Sequence, residues 1–426
     1  MDAVVRRVQK IRGSIVAPPS KSYTHRAFVV ASLAEGTSVV RNPLLSGDTL
    51  STLNAIQAFG IRVEVEKDIV IHGRGGDLET PTSPIDCENS GTTIRLIAGV
   101  ASLDARVTLT GDESVQKRPM QPLLDALKQL GVYAYSVKND GTPPVVIEGG
   151  SIKGGLVRIR GDISSQFISS LLIISPYAEN DVILEITTPL KSRPYVDITL
   201  DVMEKFGVLV EQRENRYYIR SGKRYSPTEY HIEGDYSSAA YFLALAAMSS
   251  SEIIARNLRR ESKQGDKVIV DILAKMGAEV RWVEDGVLVK GGKLKAINID
   301  LGDTPDLLPT VTALACLAEG TTIIRNVEHA RYKETDRISA CAKEFRKFGV
   351  RIEEKEDGLV IHGKESLAGA IVKSYGDHRM AMALAIAGLS AEGKTIVKDI
   401  DCVRISFPAF FNMVRDLAPW GSSLIR

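Results

Sequence analysis

The sequence has almost no net charge, no metal-type cysteine spacing and no apolar run long enough to span a bilayer. Lys plus Arg number 54 against 53 Asp plus Glu over 426 residues, a formal charge of +1. Nothing in that balance favours nucleic acid or an anionic membrane surface as a partner. The basic amino-terminal stretch with Arg6, Arg7, Lys10 and Arg12 reads as a solvated strand edge rather than a nucleic-acid arm. Four cysteines, Cys87, Cys316, Cys341 and Cys402, stand isolated, which argues against a metal site of clustered thiols and fits buried thiols in a reducing cytoplasm. The apolar runs are short and cut by Gly, Ser or charge, so neither a signal peptide nor a membrane span is expected.

What the chain does have is a repeated phrase. LSTLNAIQAFGIRVEVEKDIVIHG from Leu50, PLLDALKQLGVYAYSVKNDGTPPVVIEG from Pro122 and VDITLDVMEKFGVLVEQRENRYYIRSG from Val196 share one rhythm. KVIVDILAKMGAEVRWVEDGVLVKG from Lys267, RISACAKEFRKFGVRIEEKEDGLVIHG from Arg337 and a truncated AFFNMVRDLAP from Ala409 follow it. Apolar residues fall at helical spacing, a Gly closes the helix, and period-2 alternation marks strands. The segments between them, such as RLIAGVASLDARVTLTG and AMALAIAGLSAEGKTIVKD, read as helices apolar nearly all round, and therefore internal. An α/β fold of stacked units is expected, because one unit cannot bury its own helix face.

The length exceeds what one core sustains, and six units divide into two sets of three. Turn-rich stretches at residues 221–229 and 12–19 mark the pivots. The expected domains are residues 1–12 with 228–426, and an inserted domain of 13–227. Residues 1–12 are expected to return to the first of these as a strand, leaving two crossings and a cleft able to close.

Polar residues gather at helix starts. PPSKSYTHRAFVVASLA sets Lys21, Ser22 and Arg26 at the opening of an apolar helix, an anion cradle of free N–H groups and cations. ENSGTTIRLIAG places Asn89, Ser90, Gly91, Thr92 and Arg95 likewise, without the glycine spacing of a dinucleotide or Walker loop. GDISSQFISSLL adds Ser164, Ser165 and Gln166. Taken singly, each cluster also reads as ordinary N-capping; several at equivalent repeat positions point to one shared surface. The loops supply Arg118 in QKRPMQP and Ser192, Arg193 and Tyr195 in KSRPYVD. The second half supplies Asp306 in GDTPDLLPT, Lys333, Glu334, Asp336 and Arg337 in YKETDR, and Asp377, His378 and Arg379 in YGDHRMAMALA. Basic loops in both halves imply a multiply anionic small ligand, with the carboxylates available for proton transfer.

Through PSKSYTHRA, NSGTTIR, KRPM, SSQF, SRPY, KETDR and GDHRMAMA, in order and over essentially the whole length, the chain resembles the 3-phosphoshikimate 1-carboxyvinyltransferase family of enolpyruvyl transferases. The resemblance implies two domains, each of three βαβαββ units about a pseudo-threefold axis (an inside-out α/β barrel), closing over shikimate 3-phosphate and phosphoenolpyruvate. It implies enolpyruvyl transfer to the 5-hydroxyl by addition and elimination, in a monomer, with no cofactor and no metal. Shikimate 3-phosphate contacts would fall on Lys21, Ser22, Arg26, Ser164, Ser165, Ser192, Asp306 and Lys333, and phosphoenolpyruvate contacts on Lys21, Gly91, Arg118, Gln166, Arg337 and Arg379. Asn89 and His378 join them as motif members. Asp306 would touch the 5-hydroxyl, Glu334 would face the methylene, and Lys21 would stabilise charge.

The chain also departs from its relatives. In CVRISFP, Ile405 stands where many of them carry a late lysine, so Arg404 is the candidate replacement. His329 stands where an Asn is common, which adds a group titrating near pH 6.5. Leu96 follows Arg95 where a Pro is common. The rival readings are the sister transferase for a uridine-diphosphate amino sugar, which needs a loop cysteine, the RNA 3'-phosphate cyclase class, and a non-catalytic anion-binding scaffold.

Overall fold

The computed structural model describes every residue except Gln9, Ala105, 419–421 and Arg426; of Ser422–Ile425 the backbone alone is described. Its strands form six four-stranded sheets of one plan. The second of them in chain order shows the plan. Strand Ile85–Asp86, helix Gly91–Val100 and the parallel strand Arg106–Thr110 are followed by helix Gln121–Gln129 and the hairpin Tyr133–Ser136 with Val145–Glu148. The later hairpin strand pairs antiparallel with Arg106–Thr110. This is the repeated βαβαββ unit of an α/β fold.

The two helices of a unit differ as their sequences require. The first is buried almost all round: His378–Ser390 buries all 13 of its residues, and Tyr236–Met248 buries every one but the last. The second is amphipathic, as in Gln121–Gln129, which buries Leu123, Leu124, Ala126 and Leu127 and leaves its polar side to solvent. Of the six second helices, Phe410–Leu417 ends at Ala418, and the other five end at a glycine in the left-handed region, at Gly60, Gly131, Gly207, Gly277 and Gly349. A side chain there would press its Cβ on the carbonyl, so glycine sets where the helix stops and the hairpin begins.

The chain divides into two compact units, Met1–Pro18 with Glu233–Arg426, and Pro19–Ile232. Each has one continuous apolar core, where burying a Leu, Ile or Phe side chain contributes about 1.5–3 kcal/mol. In the discontinuous unit, the buried helices Tyr236–Met248, Leu308–Cys316 and His378–Ser390 pack against one another.

The boundaries differ from the expected 12/13 and 227/228, for one physical reason at both ends. Arg12–Val16 is a strand that pairs in parallel with Glu252–Arg256, so residues 13–18 belong with the discontinuous unit. Glu229–His231 pairs in parallel with Glu35–Arg41, so residues 228–232 belong with the continuous one. The chain changes unit after the first strand of a repeat rather than before it, and the turn formers mark the wrong side of the strand. The amino terminus also gives two strands instead of one. Asp2–Arg6 lies between Lys394–Lys398 and Ser422–Ile425 and completes the sixth unit. Among the described residues no helix is long and apolar enough to cross a membrane.

Candidate active site

In the continuous unit three helix starts are joined by their side chains. Lys21 opens helix Lys21–Leu33, and its Nζ lies 2.7 Å from Asp48 Oδ2. Thr93 Oγ1 lies 3.3 Å from the Asp48 carbonyl and 2.7 Å from Ser90 Oγ, with its one proton to share between them, which reaches the second start. Ser90 caps helix Gly91–Val100 by accepting from Thr93 N. Gln166, in the first turn of Ser165–Ile174, donates Nε2 to Thr92 Oγ1 at 2.7 Å and accepts from Arg95 Nη1 at 2.6 Å. Its amide is therefore held from both sides. Arg95 also stacks over the Phe167 ring, 5.1 Å to the centroid, and donates to the Pro119 carbonyl at 3.4 Å.

Arg118 completes this face. It lies in the turn after Val115–Lys117 and is 7% exposed, with Nη2 3.1 Å from Ser114 Oγ. Asp112 orders the loop by accepting from Ser114 N and Val115 N at 2.9 Å and from Asn89 Nδ2 at 2.6 Å. Gly91 lies directly beneath the guanidinium: a Cβ on it would come 2.2 Å from Arg118 Nη1. Arg26, 1% exposed, bonds neutral oxygens among the described residues, those of Thr199, Ser169 and the Ser22 and Tyr195 carbonyls. Burial pushes it down to about 10, so a bound anion nearby would offset an otherwise uncompensated buried cation. Ser192, 5% exposed, caps helix Arg193–Lys205 in the left-handed region, φ 56°. That conformation is costly for serine.

The discontinuous unit gathers carboxylates around one arginine. Arg337, 1% exposed, donates Nε to Asp377 Oδ2 and Nη1 to Asp306 Oδ1, each at 2.7 Å, and Nη2 to Glu334 Oε2. Burial opposes its charge, yet Asp377, Glu334 and Asp306 together hold its proton above the ordinary arginine range. Arg379 Nη2 pairs with Asp306 Oδ2 at 2.7 Å, and Lys333 Nζ lies 3.9 Å from Asp306 Oδ1. Asp377 also caps helix His378–Ser390, accepting from Arg379 N at 2.8 Å, so the cap and the ion pair fix the acid together. Arg337 and Arg379, expected to hold phosphoenolpyruvate, are here paired with acids. His378 and His329 are buried, at the start of that helix and in the turn Glu328–Tyr332.

Within the continuous unit the structure thus brings together Lys21, Ser22, Arg26, Asn89, Gly91, Arg118, Ser164 and Gln166, with Ser165 and Ser192 at neighbouring helix starts. Within the other it brings together Asp306, Lys333, Glu334, Arg337 and Arg379. Arg404 is the exception. It is exposed at the end of the turn Ile400–Ile405, and its charge acts on Asp401, which binds the Met1 amino group. Its expected role as the missing lysine gains no support from that position. From sequence, Arg95 and Asp377 stand in the helix-start clusters without a role, and Asp48 is not singled out, although it sits in the first turn of helix Gly47–Gln57 where such a group could have been sought. Cys87 is fully buried, and burial pushes its thiol well up, which leaves the sister transferase without its loop nucleophile.

The chain matches known proteins along nearly its whole length. The family model described as EPSP synthase (3-phosphoshikimate 1-carboxyvinyltransferase) matches residues 5–414. The 3-phosphoshikimate 1-carboxyvinyltransferase of Methanococcus maripaludis (strain C6) is 50% identical over 421 residues, 97% of this chain and 98% of the relative. That of Methanothermobacter thermautotrophicus is 50% identical over 412 residues, covering 96% and 97%. A solved EPSP synthase from Acinetobacter baumannii superposes with a TM-score of 0.83 at 28% identity, over 99% of this chain and 100% of that one. A match along nearly the whole length to the family model, and to relatives half identical, makes this chain a member of the EPSP synthase family.

Proposed function

We infer that the chain transfers the enolpyruvyl group of phosphoenolpyruvate to the 5-hydroxyl of shikimate 3-phosphate, releasing inorganic phosphate. The observation that carries this reading is the Arg337 cluster, in which Asp306 and Glu334 are held by one buried guanidinium beside Arg379 and Lys333. The reaction needs a base for the hydroxyl proton and an acid for the methylene carbon. Two carboxylates oriented by a shared cation supply both.

In this reading Asp306 takes the proton as the 5-hydroxyl oxygen bonds the enol carbon, and Glu334 protonates the methylene. The tetrahedral adduct then collapses: the methyl group returns a proton and the C–O bond to phosphate breaks. Lys21, Arg118, Gln166, Arg337 and Arg379 are the residues we assign to the phosphoenolpyruvate phosphate and carboxylate. Ser22, Arg26, Ser164, Ser165, Ser192 and Lys333 hold shikimate 3-phosphate. The proton transfers call on side chains of a single chain, so we take a monomer to be competent, and we take the three repeats of each domain to surround a pseudo-threefold axis.

Phosphate release measured with both substrates and with each alone tests the reading. Release demanding both is the expected result. Release from phosphoenolpyruvate alone, or none with both, would overturn it.

A further inference from the structure

Asp266 is a buried carboxyl to which the scheme above gives no task. It lies in the turn Gly265–Val268 and is 3% exposed. The Ser237 hydroxyl donates to its Oδ2, and its Oδ1 has no hydrogen-bond partner among the described residues. Ser237 stands in the first turn of the buried helix Tyr236–Met248, which Asp235 caps. The charged groups facing Asp266 come from three elements. They are Asp306 from the turn Pro305–Leu307, Arg379 from helix His378–Ser390, and Asp235 from the cap. On its own stretch Lys267 is engaged elsewhere, its Nζ on the Arg260 and Ser262 carbonyls. Asp271 and Lys275 on the next helix are exposed.

We propose that Asp266 is a positioning residue for anion binding: it must be neutral for Arg379 to hold the anionic substrate, so binding draws a proton onto it. The proposal rests on the reading of Arg379 as a holder of phosphoenolpyruvate. Arg379 already carries one ion pair, to Asp306. A second charged carboxylate facing the same guanidinium would weaken its pull on an incoming anion. In the dry interior the charged form would also leave Oδ1 without a donor, a cost that the neutral form lowers. Burial first, and the charge of Asp306 second, push Asp266 up to about 7. Near neutral pH it is therefore divided between its two forms, and a bound anion raises it further.

The test is the pH profile of KM for phosphoenolpyruvate, at saturating shikimate 3-phosphate, in the full-length protein. Parent protein without turnover on both substrates would refute the function and not this device. For an active parent, KM should climb by more than about tenfold between pH 6.5 and 8.5, up to tenfold per pH unit for one linked proton, while kcat changes less. Asp266→Asn, which cannot charge, should hold KM low and flat over that range. Ser237→Ala removes a donor to the charged form, so the break in KM should move to higher pH. An active Asp266→Asn that keeps the parent's profile would overturn the proposal. Where Asp266→Asn does not fold, an unmoved break in Ser237→Ala overturns it instead.

Discussion

Gly91 and Arg118 compete for one volume, and only the absence of a side chain at residue 91 lets the guanidinium lie where it does. Gly91→Ala should displace Arg118 and remove a charge-assisted contact of about 1.5–3 kcal/mol. KM for phosphoenolpyruvate should then rise at least tenfold, with shikimate 3-phosphate binding nearly unchanged in calorimetry; equal weakening of both ligands would point to a collapsed loop instead. Glu334→Gln keeps the size of the side chain and a hydrogen-bond acceptor for Arg337 but ends the acid–base cycle. Its kcat should fall by about 10²–10⁴-fold. A kcat within twofold of the parent would leave Glu334 only its tie to Arg337. Arg404 is exposed, and an exposed charge contributes little, so Arg404→Ala should leave KM for phosphoenolpyruvate within about threefold. A rise beyond tenfold would return Arg404 to the site.

At the scale of elements, equivalent helix starts carry different caps in the two units. The continuous unit uses Ser20, Ser90 and Ser164. The other places Asp235 and Asp377 at two of its buried helices and Asp306 just before the third. Serine caps leave the positive helix ends to an anion, whereas aspartate caps neutralise those ends and bring acids to the surface. One repeat thus yields an anion-binding face and an acid–base face. The glycine ending five of the six second helices is the other repeated device. Gly277, φ +99°, lies close to a backbone oxygen, with an added Cβ 3.1 Å from Lys293 O. Gly277→Ala should cost about 1–2 kcal/mol in denaturant unfolding followed by circular dichroism, and an unchanged midpoint would mean that the turn relaxes freely.

For the whole molecule, the route of the chain makes the two units unequal. All three sheets of the continuous unit lie within Pro19–Ile232, so that segment, made alone, should fold with a cooperative transition. The other unit draws the inner strand Asp2–Arg6 and the edge strand Arg12–Val16 from the far end of the chain. Removing residues 1–18 leaves a gap inside one sheet and unpaired backbone on another strand. Hydrogen exchange on that truncated chain should show lost protection in 233–426 and retained protection in 19–232. Uniform protection across both segments would show that the borrowed strands are dispensable.

By itself the sequence determined the repeat, its helices and hairpins, and the helix-start residues, because periodicity, glycine at helix ends and capping chemistry are local properties. It also contained the seven motifs that carry the family resemblance, which is why Lys21, Gly91, Arg118, Asp306, Glu334 and Arg379 could be named. Tertiary structure alone decided which unit takes the strands Arg12–Val16 and Glu229–His231, since a β-strand pairs by hydrogen bonds to residues far along the chain, as Arg12–Val16 does with Glu252–Arg256. It alone decided that Arg337 would be wrapped by three acids, that Asp48 would meet Lys21, that Arg404 would face solvent, and that Asp266 would stand buried near Asp306. Side-chain partnership and burial follow from packing in three dimensions, and residue spacing along one chain does not encode them.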